Sequence, residues 1–540
     1  MTGPRIFAID LVVFSVLWTR SFLLTCELAV SAVAIALLIG VPVGWAAWLN
    51  AIKRLSGSGR SYRMGASGIV TSLFLGVAVA SLIMPLVLHA AAWESAAGKF
   101  GWWTLTQTGS RRFGQFSGLI ACSIVHGIHG SAAVALATWI GLRRIPGVLL
   151  ESSRLDTGPL KRAFLLLLPM AAPWIATAAL GVAMLAATEM TVADLYGFRT
   201  LADEFYLFHA AEPSAMAVMM VCFIPMLLAI FGGWMFRIAS HRSGRPVHPH
   251  RDDSASQTFA SPNAPGGSLT RLLSHAILVA FMLVVLVIPV GSLIVKAGHD
   301  VTVVADQRQV AWSLSSCIQR LASAPETFRR EYVQTAMIAG LSATVSTIIG
   351  GIAALGTATR STRRRCMDGI SLAAFAIPGP IVGLGVIGVF QWPIAGLGAL
   401  YQQTLVPTLI ALCFKAVPVA YFCIRVALAG RSKTIRSQAY LDAGPIERVF
   451  RIWIPMFAPV LAAAWITSAV VASGDVPVLL PVVPPGVTTV TTRLFGLLHS
   501  GARYQEAALA FWYVAATTTL AITATWIARR RRTGGWDVIG

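Results

Sequence analysis

Charged residues are scarce in this 540-residue chain, where they make up 12% of the sequence. An ordinary soluble domain carries about twice that share. The hydrophobic fraction is 56%, which leaves few charges to cover a water-exposed surface. Many apolar runs exceed about 18 residues, the length at which a helix spans a bilayer. The composition therefore predicts a polytopic membrane protein and argues against a large soluble core.

Cysteine motifs and catalytic motifs are also missing. The seven cysteines form no CxxC pair, and most lie in apolar runs, where a thiol behaves as a small hydrophobic group. We therefore predict no metal site and no disulfide framework. The sequence lacks a G-x-x-x-x-G-K-[ST] phosphate loop, an HExxH pair and a nucleophile elbow. We expect no enzymatic activity, and energy for transport would come from a partner or an ion gradient.

A polar stretch at 238–271 separates two groups of apolar spans. It is rich in Ser, Pro, Gly and charge, which is typical of a flexible linker. The sequence predicts an all-α integral membrane fold with a first half at 1–237, the linker at 238–271 and a second half at 272–540. The eleven predicted spans are 22–49, 67–91, 117–141, 169–190, 214–236, 272–296, 332–358, 367–391, 404–428, 456–479 and 506–528.

A shorter apolar run at 6–18 lacks the length to span a bilayer. No small-residue cleavage site follows it, so we do not interpret it as a signal peptide. Two expectations stay open for this run. It is either the remnant of a sixth span in the first half, or the end of a segment that begins upstream.

The distribution of basic residues predicts the orientation of the spans. If the loops near 50–66, 142–168, 237–271, 359–366 and 429–454 and the C-terminal tail are cytoplasmic, they hold about 27 of the 42 Lys and Arg residues. The opposite loops hold about 10 of them. This positive-inside bias places the C-terminus in the cytoplasm. It also accounts for the net charge of +20 without a nucleic-acid partner.

One cytoplasmic loop occurs twice, at an offset of 286 residues. The identical pairs are Asp156 and Asp442, Gly158 and Gly444, Pro159 and Pro445, Arg162 and Arg448, and Pro169 and Pro455. So many identities in register indicate a duplication. Because both copies lie on the same predicted side, the halves are parallel pseudo-symmetric repeats. The sequence of each loop predicts a short helix that lies across the membrane face. A simple connector between spans would not need to keep these residues in both copies.

This loop resembles the EAA loop of permease subunits from binding-protein-dependent ABC importers. In that motif Glu-Ala-Ala is followed by Gly and then by a hydrophobic residue and Pro. Glu151, Gly158 and Pro169 match it in the first half, and Gly444 and Pro455 match it in the second. The second copy has Ser437 where the motif has Glu, and in both copies the glycine falls one residue late. We therefore expect unequal docking by the two loops.

The resemblance implies the partners of the chain. The two loops would couple to two cytoplasmic ABC ATPase subunits, which bind ATP and Mg, so that no cofactor is expected in this chain. A periplasmic or lipid-anchored solute-binding protein would deliver the substrate. The protein would be a multi-pass component of a bacterial cytoplasmic (inner) membrane with a type I permease fold.

The substrate is predicted only from weaker resemblances. A fused pair of halves looks most like the ferric-iron branch of these permeases, and the segments 377–385, 199–206 and 484–489 resemble that branch. Fused thiamine permeases and unfused permeases for polyamines or oxyanions share the same loop. Two other classes stay open, a gradient-driven secondary transporter or channel and a membrane scaffold that binds partners through the loops.

Ionisable residues within the spans are candidates for the translocation path, because they are costly in a membrane. His126 and His129 share one helix face, and His129 corresponds to Lys415 at the offset of the repeat. Glu189 and Asp475 form a second mirrored pair, at the predicted outer ends of the following spans. The alternatives are helix–helix hydrogen bonds, a lysine that snorkels to water, and carboxylates that cap helices or contact the receptor.

Overall fold

The computed structural model describes most of the chain. The described residues are 3–52, 66–98, 101–102, 116–156, 158–210, 214–242, 268–304, 307–358, 361–429, 444, 447–500 and 504–533. Most of the predicted linker and most of the second repeated loop lie outside these ranges. The predicted boundaries of the two halves stay a prediction.

The helices that precede the predicted linker alternate between long spans and short connecting segments. They are α1 (Gly3–Ile52), α2 (Ala66–Ile83), α3 (Leu86–Ala97), α4 (Gly118–Arg143), α5 (Gly147–Asp156), α6 (Pro159–Arg162), α7 (Leu168–Thr188), α8 (Thr191–Leu195), α9 (Leu201–Glu204) and α10 (Ala215–Arg242). A π-helical turn, Ala163–Leu167, joins α6 to α7, and another, Phe205–His209, follows α9.

The remaining elements include one β-hairpin. They are α11 (Ser268–Met282), α12 (Ile288–Ala297), β1 (His299–Val304), β2 (Gln307–Trp312), α13 (Leu314–Thr327), α14 (Arg329–Thr357), α15 (Ser361–Ala376), α16 (Gly379–Phe390), α17 (Leu397–Gln403), α18 (Val406–Ala429), α19 (Ile454–Gly474), α20 (Val476–Val482), α21 (Val490–Ser500) and α22 (Gln505–Thr533). π-Helical turns at Leu283–Val287 and Arg448–Trp453 precede α12 and α19.

The described residues contain nine helices long and apolar enough to cross a membrane, and two bent helix pairs raise the number to eleven. The chain is an all-α integral membrane protein, as the sequence predicts. Each predicted span overlaps one of these helices or pairs. The run at 6–18 lies within α1, which begins at Gly3.

Two predicted spans are wrong as continuous helices. The spans at 67–91 and 367–391 are each broken into two helices that meet at an angle of 102°. The breaks fall at Pro85 and at Pro378, and proline has no N–H with which to continue a helix. Hydropathy does not reveal such a bend, because the residues on both sides of the proline are apolar.

The chain forms two compact units, Met1–Ala78 with Ala96–Gly291, and Val79–Ser95 with Ser292–Gly540. The first unit is built around α1, α4, α7 and α10. Glycine allows α1 and α4 to approach closely. A Cβ atom at Gly40 would lie 2.7 Å from the Ser131 carbonyl oxygen, and one at Gly44 would lie 2.4 Å from that of Ala135. Small residues at such positions are the usual means of close helix packing in membranes.

The second unit is built around α14, α18, α19 and α22. Here Gly350 of α14 packs against the backbone of α18, since its Cβ would lie 2.7 Å from the Tyr421 nitrogen. The bent arm α16 packs on α20, where a Cβ at Gly383 would lie 2.3 Å from Pro481 Cγ. Each unit therefore uses glycine where one helix meets the next.

The β-hairpin was not predicted from the sequence. Its antiparallel strands pair from His299 with Trp312 to Val304 with Gln307. Trp312 Nε1 donates to the Val295 carbonyl at 3.1 Å, and Arg320 of α13 forms an ion pair with Asp300. The guanidinium carbon of Arg320 also lies 3.8 Å from the centre of the Tyr504 ring. The hairpin is therefore tied to the helices on either side of it.

Candidate functional site

The first repeated loop begins with α5, which lies against the ends of three spans. Leu149 and Leu150 pack on an apolar cluster of five buried residues. The cluster consists of Trp48, Leu142, Ile145, Leu167 and Ala171. The opposite side of the helix presents Val148, which is 71% exposed, and Ser152, which is also exposed. α5 is therefore a short helix with one apolar side anchored and the other side accessible.

The glycines of the two loops, Gly158 and Gly444, are both exposed. Among the residues that the structure describes, no atom lies within 4 Å of a Cβ atom built at either position. The described neighbours therefore leave room for a side chain at both glycines.

The other residues of the first loop have the following places. Asp156 is the last residue of α5, and Pro159 is the first of α6. Glu151 is half-buried in α5. The Arg162 backbone N–H donates to the Gly158 carbonyl at 3.0 Å. Pro169 is the second residue of α7.

Both loops enter the next span through a π-helical turn, and proline explains why. Pro169 has no N–H to give to the carbonyl four residues earlier. The preceding turn widens, and the Leu168 N–H donates to the Ala163 carbonyl, five residues away. Pro455 follows the π-helical turn Arg448–Trp453 at the matching position of α19. Of the remaining predicted residues of the second loop, Ser437, Asp442 and Pro445 lie outside the described residues.

The carboxylate of Glu189 caps a helix in the first unit. It accepts from the N–H groups of Thr191 and Val192, both at 2.8 Å. His126 Nε2 lies 3.9 Å from the same carboxylate, while its Nδ1 lies 2.8 Å from the Cys122 carbonyl oxygen. His129 is buried one turn further along α4. An imidazole of α4, that of His126, therefore lies beside the carboxylate.

The carboxylate of Asp475 has the equivalent place in the second unit. It accepts from the Val478 N–H at 3.4 Å and so caps α20. Lys415 Nζ lies 3.8 Å from its other oxygen, with the two side chains 16% and 11% exposed. Each unit therefore places a basic side chain of the span before the repeated loop beside a capping carboxylate. A part for these five residues in translocation stays a prediction.

Two further ionic groups were missed from the sequence. Lys296 and Glu506 form an ion pair in the second unit, with side chains 3% and 4% exposed. Arg425 Nη2 lies 2.9 Å from Asp368 Oδ2, and the Tyr421 hydroxyl donates to Asp368 Oδ1 at 2.9 Å. Each of these charged residues lies near the end of a predicted span, so the sequence alone suggests a residue at the membrane interface. The ion pairs were missed because their partners come together only in the tertiary structure.

The segment that follows each capped helix differs between the units. In the first unit Asp203 is 1% exposed, and its Oδ2 lies 3.4 Å from Arg199 Nη1. Burial, together with the charges of Asp194 and Glu204, raises the pKa of Asp203 to about 7, although Arg199 opposes this. At the offset of the repeat, Asp203 corresponds to Thr489 and Glu204 to Val490, and Arg493 follows three residues later. Neither feature was predicted, since both segments stood out only for their resemblance.

Across the residues that the structure describes, no group of three or more His, Cys, Asp or Glu side chains is placed to hold a metal ion.

Comparison with known proteins gives a partial match. No family model matches the sequence. Over 157 residues the chain is 29% identical to a putative 2-aminoethylphosphonate transport system permease protein PhnV from Salmonella typhimurium, and equally to that of Salmonella paratyphi A. The matched region is 29% of this chain and 57% of each relative. The chain thus spans a little over half the length of these curated relatives.

Proposed function

We propose that this chain is the permease of an ATP-driven ABC importer in a bacterial inner membrane, and that it carries a small oxyanion of the phosphonate class. Its two repeated loops, 151–169 and 437–455, dock two ATPase subunits that hydrolyse ATP. A periplasmic or lipid-anchored receptor delivers the substrate to the opposite side. The chain itself supplies the path and no catalytic group.

The exposed glycines of the repeated loops carry this proposal. Gly158 and Gly444 stand at equivalent positions and are exposed, and no atom of the described residues lies within 4 Å of a Cβ atom at either position. A partner that approaches the backbone closely would need both positions without a side chain. A gradient-driven transporter has no such partner, and a scaffold would not need two parallel copies joined to a set of spans.

Two observations favour an oxyanion as the substrate. The relatives of this chain are described as putative permeases for 2-aminoethylphosphonate. In addition, arginine and threonine side chains line a cavity of the second unit, and arginine is well suited to bind phosphate-like groups.

Ferric iron is the second candidate. It is favoured by the resemblance of residues 377–385 to the ferric-iron branch and by the mirrored carboxylates Glu189 and Asp475, since carboxylates are ligands for hard cations. In the structure these carboxylates accept backbone hydrogen bonds and lie beside His126 and Lys415. An iron path would have to compete with those contacts.

An uptake assay tests both proposals. The chain would be reconstituted in proteoliposomes with the ATPase and the receptor encoded beside it. We expect ATP-dependent accumulation of radiolabelled 2-aminoethylphosphonate, and none of ferric iron. ATP-dependent uptake of ferric iron without uptake of 2-aminoethylphosphonate would show that iron, and not an oxyanion, is the substrate. Uptake that follows an ion gradient and ignores ATP would overturn the importer.

A further inference from the structure

A cavity of about 380 Å³ opens in the second unit, beside the turn Pro484–Gly486 and the first turns of α21. This volume falls in the range of small-molecule sites, about 300–1,000 Å³. Apolar side chains of α20 and of the turn form one part of the wall. Thr488, Thr492 and Arg493 supply the polar part. The shape and lining suit a small ligand with one charged end.

Arg493 brings a guanidinium group to the wall of the cavity. It is the fourth residue of α21, and its backbone N–H donates to the Thr489 carbonyl at 2.9 Å. Its Nε lies 3.8 Å from Glu331 Oε1, which is too far for a hydrogen bond. Because the guanidinium has five N–H donors, this contact leaves donors available to a ligand.

A second arginine stands next to the cavity. Arg330 Nη2 donates to the carbonyl of Gly486, a residue with φ +83° that forms the left-handed corner of the turn. Among the described contacts, two guanidinium groups, those of Arg330 and Arg493, lie near this surface, and Glu331 is the carboxylate close to Arg493. A net positive charge beside a concave surface attracts anions.

Hydrogen bonds within the second unit hold the backbone around the cavity in place. The Thr488 N–H donates to Gln334 Oε1 at 2.7 Å, and the Val490 N–H donates to Thr335 Oγ1 at 2.8 Å. The Thr492 hydroxyl donates to the Thr489 carbonyl at 3.0 Å. The lining is therefore fixed before a ligand arrives, which lowers the entropic cost of binding. A ligand would be held by side chains, and chiefly by Arg493.

We propose that this cavity binds a small oxyanion, a phosphonate or phosphate group, with the Arg493 guanidinium as its main ligand. The site lies on the predicted outer side, where a substrate would first meet the permease. The proposal rests on the proposed function for its substrate class only, because binding to the cavity needs neither ATP nor the receptor.

Direct binding to the full chain in lipid nanodiscs tests the site. The probes are 2-aminoethylphosphonate, methylphosphonate and inorganic phosphate. Binding of each probe is measured as broadening of its phosphorus NMR line, in the absence of the ATPase and the receptor. Arg493→Gln should weaken binding about tenfold, the loss expected for one charge-assisted pair. Arg493→Lys should restore it only in part, because lysine keeps the charge but lacks the fork. Arg329→Gln, at an exposed residue outside the cavity lining, is the matched control and should have no effect.

The outcomes separate this site from the proposed function. Absence of binding to the unchanged chain, or equal binding to the Arg493→Gln and Arg329→Gln variants, would overturn the site. If Arg493→Gln weakens only the docking of the receptor, the cavity is a protein contact and the proposal is wrong. ATP-driven uptake without binding to the cavity would leave the importer standing and remove the site. Binding without ATP-driven uptake would do the reverse.

Discussion

The two units place a carboxylate at the same point and stabilise it differently. Glu189 accepts two backbone hydrogen bonds of 2.8 Å, and the imidazole of His126 adds a distant contact of 3.9 Å. Asp475 accepts one backbone hydrogen bond of 3.4 Å, and its other oxygen faces the ammonium group of Lys415 at 3.8 Å. The first carboxylate thus depends on backbone donors, and the second depends more on a cation.

The two halves also differ in the segments that follow these carboxylates, whereas their repeated loops are alike. On the predicted outer side, the first unit carries Asp194, Asp203 and Glu204, whereas the second unit carries threonines and Arg493. On the predicted cytoplasmic side, the two loops keep identical residues at their glycine and proline positions. The sequences of the two repeated loops have therefore diverged less than the segments that follow the capped helices.

The largest expected effect concerns the shared feature. Gly158→Glu combined with Gly444→Glu should reduce ATP-driven transport to background, because a bulky charge would stand where the partner approaches the backbone. The protein should still reach the membrane, since both glycines are exposed and no described atom lies within 4 Å of a Cβ atom at either position. Uptake and membrane content would be measured in the same cells.

The control for this variant is Gly398→Glu, at an exposed glycine of α17 that also has no atom within 4 Å of a Cβ. It lies on the predicted outer side and should leave transport unchanged. Normal transport by the double variant would show that the two loops do not couple, and each single variant would show how unequal they are.

The cation beside Asp475 should matter most among the outer residues. Lys415→Met leaves a carboxylate that is 11% exposed without its cation, at a cost of about 3 kcal/mol in the free energy of unfolding. Transport should fall while ATPase docking is retained. Adding Asp475→Asn should recover much of the stability, because the amide oxygen still caps α20. Additive losses in the double variant would rule out the pair.

The buried acid of the first unit should make stability depend on pH. The pKa of Asp203 is raised from 3.8 to about 7 by burial and by Asp194 and Glu204. Folding therefore favours the protonated acid, so stability falls as pH rises through this window and levels off above pH 7. Between pH 5 and 8 the loss is on the order of 2 kcal/mol.

Asp203→Asn removes the titrating group but keeps its size. The slope of unfolding free energy against pH, measured by SDS titration, should become flatter between pH 5 and 8. Glu326→Gln, at an exposed acid of the second unit, is the control and should retain the slope. An unchanged slope in the Asp203→Asn variant would contradict the buried-acid account.

The smallest effect is expected at His126. His126→Leu copies the second unit, where Leu412 stands at the equivalent position. Glu189 keeps its two backbone donors, so the free energy of unfolding should change by less than about 1 kcal/mol. Thermal unfolding beside the Lys415→Met variant would check this ranking. A loss at His126 as large as that at Lys415 would remove the difference between the two carboxylates.

The sequence predicts the long elements well and the local geometry poorly. Hydrophobic length locates the nine long helices and the two bent helix pairs of the described residues, because a bilayer demands a minimum apolar run. It misses the bends at Pro85 and Pro378, since both arms of each pair are apolar. The hairpin at His299–Trp312 is missed because its residues are mixed in character and lie between spans.

The candidate site shows the same limit. The repeat locates Glu189 and Asp475 at equivalent positions, but their capping role depends on where α8 and α20 begin. His126 and His129 are three residues apart and share a helix face, so spacing alone does not decide which imidazole faces the carboxylate. The pairing of Lys296 with Glu506 joins two ends of the second half and leaves no local signal.

Cross-linking of the two loops to the ATPase tests the central claim most directly. Ser152→Cys and Gly444→Cys would be introduced separately, after the exposed Cys366 is replaced by serine. Gly398→Cys serves as the control on the opposite side. We predict that each loop cysteine forms a cross-link to an ATPase subunit in membranes and that the control forms none. If neither loop cysteine forms a link while the protein is present in the membrane, the two loops are not docking sites and the importer account is contradicted.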